Sequence, residues 1–279
     1  MEIDWELRET GPLDAERTAL LLPGGMCSAG SYAEVMAEPA LAGVRLVAAT
    51  LPGHAGAPPP DDYSVENYAR FTAELAGKLE TDVVVGFSMG ASVALEMAAS
   101  GAFTGPLVLL GISLSLADEA AFFRVIVRLG DVLGALPAAV LAKGAASMVK
   151  RIPASAARQE ELRGDFRKNV PQHNRQGLRE YVRWLHRHER PASRLCAAGV
   201  PTWVVHAEKG DGGLTDQERS ALEACPHTHL VTIAGSVFFL PNEVPERVAD
   251  VIAEAIDQAS SPAKPGRPRH DEELTTRGD

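Results

Sequence analysis

The feature that most constrains this chain is the run Val83-Val84-Val85-Gly86-Phe87-Ser88-Met89-Gly90-Ala91-Ser92. A continuous apolar stretch meets Gly-x-Ser-x-Gly, and small residues follow. The apolar stretch reads as a strand buried on both faces, and the small residues read as the start of a helix. To pass from one to the other at a single residue the backbone must bend so sharply that positions 86 and 90 have no room for bulk. Ser88, at the apex, is then expected in a strained conformation with its hydroxyl displayed above the sheet. The helix N-terminus beneath it adds positive potential where an oxyanion would form. As a bare pattern Gly-x-Ser-x-Gly is weak; the strand–turn–helix context gives it weight.

The rest of the chain supplies the sheet that such a turn needs. Short apolar runs at Thr18–Leu22, Arg45–Ala49, Val83–Phe87, Leu107–Leu110, Thr202–His206 and His229–Ile233 read as strands. They alternate with helix-like stretches at Ser31–Leu41, Val65–Leu79, Met89–Ser100, Thr215–Ala224 and Val244–Gln258. This alternation predicts an α/β fold, a mostly parallel sheet with helices on both faces. From about Asp118 to Arg194 no strand is evident, and Tyr181, Trp184, Leu185 and His188 recur at helical spacing. That segment reads as an inserted helical cap. The expected organisation is a core of residues 1–117 and 195–259, a cap of residues 118–194, and a polar, Pro- and Arg-rich disordered tail at 260–279.

With a net charge of −10 the chain lacks the basic face that nucleic acid or an anionic membrane requires, so neither is expected as a partner. No run of about 18 apolar residues is present to span a bilayer. Met1 to Glu9 is acidic and polar, unlike a secretory leader. The three cysteines, Cys27, Cys196 and Cys225, form neither a disulfide framework nor a zinc-ligand spacing. The expectation is a cytoplasmic protein acting on a small molecule, with no cofactor and no metal. Nothing in the sequence sets the oligomeric state.

Upstream, Leu20-Leu21-Leu22-Pro23-Gly24-Gly25-Met26 ends a strand in a glycine loop, and Leu51-Pro52-Gly53-His54-Ala55-Gly56 follows the next strand. With the elbow at Ser88, these stretches resemble the α/β-hydrolase superfamily over roughly residues 5–115 and 195–258. The resemblance implies an α/β-hydrolase fold and an oxyanion hole made by the backbone N–H groups of Gly25 and Met89. Pro23 stands where the family usually has histidine, which leaves the donor amide in place. It also implies that His54 is structural rather than catalytic. Met26, beside the hole, is expected to contact substrate.

The pattern fails on the base side. A serine hydroxyl needs a base to accept its proton, usually a histidine oriented by a carboxylate. The family's acid follows the strand read here as Thr202–His206, but Gly210 occupies its place, with Asp211 one residue later. Asp211 is the candidate acid, and Asp118 a weaker substitute. Aligning Gly235 and Pro245-Glu246 with the family's last turn puts Phe238 in the histidine position and Val237 before it. Phe238 would then form an aromatic wall of the pocket. Loss of the base costs about a million-fold in turnover in comparable deletions. Phe238 has two readings, an engineered substitution and natural divergence. The second is favoured because Gly210, Val237 and Phe238 all depart together. His206 and His188 read as packed residues rather than bases, and Cys27 as an inert, packed thiol.

These readings point to an enzyme that acts on a small, fairly apolar carbonyl compound through Ser88 and the oxyanion amides. Chemistry such as elimination or cyclisation suits a site without a histidine. The rivals are an esterase or thioesterase bearing an inactivating substitution, and a catalytically silent binding protein.

Overall fold

The computed structural model describes residues 3–119, 125, 129, 136–188, 191–208, 214–235, 237 and 239–259. Seven strands form one sheet: β1 (Leu7–Thr10), β2 (Thr18–Leu22), β3 (Arg45–Ala49), β4 (Val83–Phe87), β5 (Leu107–Leu110), β6 (Thr202–Ala207) and β7 (Thr228–Ile233). Their order is β1-β3-β2-β4-β5-β6-β7. All neighbours are parallel except β1, which pairs antiparallel with β3. The six strands expected from the sequence are present. β1 was not foreseen, because an edge strand with three exposed residues carries no apolar run.

The helices are α1 (Ala33–Met36), α2 (Val65–Lys78), α3 (Met89–Ala99), α4 (Leu136–Met148), α5 (Ala156–Lys168), α6 (Pro171–Arg187), α7 (Pro191–Ala198), α8 (Asp216–Glu223), α9 (Leu240–Glu243) and α10 (Pro245–Gln258). The single helix expected over Ser31–Leu41 is instead a short 3₁₀ turn, α1 and a second 3₁₀ turn started by Pro39. Strand residues alternate between the two faces. Leu20, Leu22, Val84, Leu109 and Val204 pack with α2, α3 and Trp184 of α6 on one face. Leu21, Val85, Val108, Trp203 and Val205 pack with α1 and α10 on the other. Burial on both faces accounts for the apolar runs.

Between β5 and β6 every regular element among the described residues is helical: α4, a 3₁₀ turn, α5, α6 and α7. Two carboxylate anchors hold this segment, one buried and one half-buried. Glu96 of α3 accepts from Trp184 Nε1 at 2.8 Å and from both terminal nitrogens of Arg194. Glu34 of α1 accepts from Arg158 Nε at 2.6 Å and from Asn242 at 2.9 Å. The expectation that the cysteines do not pair is corrected: Cys196 of α7 and Cys225, just after α8, form a disulfide with Cα atoms 5.6 Å apart. Their 29-residue separation gave no signal, because β6 lies between them in the chain. α7 and α8 nevertheless pack on one sheet face through Leu195 and Leu222. The tail expected at 260–279 lies outside the described residues.

Candidate active site

The elbow is built as its sterics require. Gly86 pairs in register with Leu22 on one side and Leu109 on the other, so β4 is central to the sheet. A Cβ on Gly86 would lie 2.3 Å from the Gly90 carbonyl oxygen, and one on Gly90 would lie 2.3 Å from that of Leu22. Neither position admits a side chain, and the first turn of α3 is thereby pressed against the end of β2. Between them Ser88 takes φ 50 and ψ −115, a strained conformation for a non-glycine residue. Its N–H donates to Leu110 O at 2.8 Å, which fixes the backbone. Its side chain is exposed and makes no capping bond to α3.

The same close approach sets the glycine loop after β2 against the elbow. A Cβ on Gly24 would stand 3.4 Å from Ser88 Cβ, and one on Gly25 3.6 Å from the Met89 sulfur. Among the described residues neither the Gly25 nor the Met89 N–H has a hydrogen-bond partner. Ser88, Gly25, Met26 and Met89 together line a cavity of about 140 Å³. Met26 has φ 67 and is held at both ends of its peptide. Its N–H donates to His54 Nδ1 at 3.0 Å, and its carbonyl accepts from Asn169 Nδ2 at 2.9 Å.

His54 is buried, and burial followed by the neighbouring His173 lowers its pKa to about 4. The ring is neutral, and Nδ1 is an acceptor, so its proton sits on Nε2. It has no free lone pair with which to take a proton from Ser88. His206 is buried at the end of β6, held neutral with its pKa lowered to about 4 by burial and then Arg219, and does not line the cavity. His188 ends α6 with Nε2 3.4 Å from Glu66. Asp118 is not among the residues that line the cavity; its carboxylate accepts from Leu114 and Ser115 N–H at 2.7 and 2.9 Å. Burial, then the adjacent Glu218, raises its pKa to about 7. Asp211 and Phe238 lie outside the described residues. Cys27 is buried, and burial followed by Asp165 pushes its thiol up to about 12.

Sequence reasoning missed the opposite wall. Asn174, Gly177, Leu178 and Tyr181 recur at i, i+3, i+4 and i+7 along α6 and face the cavity. Glu119, the residue after Asp118, completes that wall and accepts from Tyr181 Oη at 2.7 Å. Burial, then the Glu119 charge, holds the Tyr181 phenol well above its ordinary pKa. The same periodic stripe was visible in the sequence from Tyr181 onward. Polar Asn174 and side-chain-free Gly177 hid its start.

Residues 19–251 match the profile of the alpha/beta hydrolase family. The chain belongs to that family. No curated protein sequence matches it. Among solved structures, a hydrolase from Oleispira antarctica is 17% identical, with a TM-score of 0.69, covering 90% of this chain and 94% of that one. An ancestral haloalkane dehalogenase is 20% identical, with a TM-score of 0.71, covering 93% and 98%. An esterase from Thermogutta terrifontis is 20% identical, with a TM-score of 0.69, covering 92% and 94%. At these identities the likeness is one of fold. Among the described residues no helix is long and apolar enough to cross a membrane.

Proposed function

We propose that this α/β-hydrolase-family enzyme binds a small, mainly apolar carbonyl compound (ester, thioester or lactone-like) in the cavity over Ser88. The Ser88 hydroxyl attacks or hydrogen-bonds the carbonyl, while the Gly25 and Met89 N–H groups hold the developing negative charge. One observation carries the reading: Ser88 is exposed at φ 50 beside two amides that have no other partner among the described residues. A binding protein has no need of a strained serine aimed at a vacant pair of donors.

The sequence puts Phe238 where the family has its histidine, and His54 accepts the Met26 N–H through Nδ1, which leaves its protonated Nε2 unable to act as a base. The reaction proposed is therefore non-hydrolytic, an elimination or cyclisation in which the substrate supplies much of the driving force. Glu119 and the Tyr181 hydroxyl are the groups on the cavity wall suited to accept and return a proton. The alternative within the same site is an esterase or thioesterase slowed by loss of its base. A fluorophosphonate probe followed by mass spectrometry is expected to label Ser88; an unlabelled serine overturns the nucleophilic reading. p-Nitrophenyl ester turnover is expected to be slow in the wild type and faster in Phe238→His. Fast wild-type turnover abolished by Ser88→Ala would show that a base is present after all.

A further inference from the structure

Asn174 is buried on the inner face of α6, yet neither its side-chain oxygen nor its nitrogen has a hydrogen-bond partner among the described residues. His54 Nε2, which carries the ring proton, is likewise buried and unpartnered. Both side chains line the cavity that holds Ser88. The His54 ring lies against the same face of α6: a Cβ on Gly177, one turn beyond Asn174, would stand 3.8 Å from His54 Cε1. Each buried polar atom left unpaired costs about 1–3 kcal/mol, and folded proteins retain few. Three such atoms on the wall of one cavity point to a ligand that satisfies them together.

We propose that Asn174 and His54 form an amide-reading subsite, so that the substrate carries a primary carboxamide or a lactam edge in addition to the carbonyl presented to Ser88. This rests on the reading of the cavity as the substrate site. The unpaired set is two donors and one acceptor. An amide carbonyl oxygen has two lone pairs to accept from Asn174 Nδ2 and His54 Nε2, and the cis N–H beside it donates to Asn174 Oδ1. A hydroxyl has the same count, but its one oxygen would have to meet Asn174 Oδ1 and Nδ2 at once, whereas an amide edge offers them a separate N–H and C=O in matching fork geometry. A carboxylate supplies no donor for Oδ1 and meets the Glu119 carboxyl group on the same wall. A cation leaves both donors unmatched.

The test uses ε-caprolactam and cycloheptanone, rings of one size that differ by the amide N–H, titrated against the full chain by protein-observed NMR. The lactam is expected to bind the wild type about tenfold more tightly, the worth of one buried hydrogen bond. Asn174→Leu should abolish that preference, and Asn174→Asp, which keeps the shape and loses a donor, should weaken lactam binding. Equal affinity of the two rings for the wild type, or no binding of either, overturns the subsite however the variants fold. Fluorophosphonate labelling run alongside separates the two proposals. A lactam preference without labelling keeps the subsite and removes the nucleophile, and labelling without a preference does the reverse.

Discussion

Asn169 donates its side-chain N–H to the Met26 carbonyl at 2.9 Å while its own oxygen accepts the Ala55 N–H at 3.0 Å. One buried amide, at the joint between α5 and α6, thus spans both loops that shape the cavity. It joins the glycine loop to the loop bearing His54, which itself accepts from Met26. The position of the Gly25 amide depends on an inserted helical segment more than 140 residues further along the chain.

Asn169→Ala leaves the Ala55 N–H and one bond to the Met26 carbonyl unmade, and should lower stability by about 2–3 kcal/mol. Labelling of Ser88 by a fluorophosphonate should slow in the folded variant, because Met26 at φ 67 is then held only through its N–H on His54. Urea unfolding and the labelling rate check the two halves. Unchanged labelling would separate the clamp from the oxyanion loop.

Gly90→Ala should abolish soluble expression, since its Cβ would fall 2.3 Å from the Leu22 oxygen and 2.7 Å from that of Pro23, both backbone atoms. Gly144→Ala is the control. A Cβ there meets nothing within 4 Å, on an exposed face of α4, and should stabilise by about 1 kcal/mol through helix propensity. Thermal melts of purified protein compare them.

Six strands and the elbow were legible because burial on both faces writes itself as apolar runs, and because a turn this tight excludes side chains at 86 and 90. The opposite wall was not legible. Asn174 reads as a solvated helix residue until the fold turns it inward, and Glu119 was hidden beside Asp118, the more family-like choice. The Asn169 clamp and the Cys196–Cys225 bridge join segments that only the assembled sheet makes neighbours. Non-local pairings of this kind leave no periodic trace.

Glu96→Ala should loosen the inserted helices. Burial raises the Glu96 pKa, but hydrogen bonds from Arg194 and Trp184 outweigh it and hold the carboxylate below its ordinary range. A depressed carboxylate contributes stability that is present above its unfolded pKa and is lost as pH falls through the folded value. Removing it strands Arg194 and the Trp184 N–H, at a cost of about 3 kcal/mol, the low end for a buried pair because Arg194 is partly exposed. Unfolding midpoints at neutral and acid pH are expected to converge for wild type and variant as the wild-type pair is protonated.

Asp118 has the opposite sign. Burial and Glu218 raise its pKa from 3.8 to about 7, so over that interval the native state holds a proton that the unfolded chain has released. Its contribution is complete below its unfolded pKa and is lost as pH rises through about 7, with a slope of at most about 1.4 kcal/mol per pH unit for one proton. Glu218, the neighbour that helps raise the Asp118 pKa, belongs to the capping box that starts α8, where Thr215 donates to Glu218 at 2.6 Å. Asp118→Asn keeps an acceptor for Leu114 and Ser115 N–H and offers Glu218 a donor that cannot ionise. His54 and His206, with depressed pKa values, favour the native state as pH rises from about 4 toward 6.5 and so mask the Asp118 slope in the wild type. Subtracting the wild-type urea midpoints from those of Asp118→Asn at pH 5, 6, 7 and 8 cancels the histidines. The difference should grow in favour of the variant up to about pH 7 and then level off. Parallel curves would mean that Asp118 is ionised throughout.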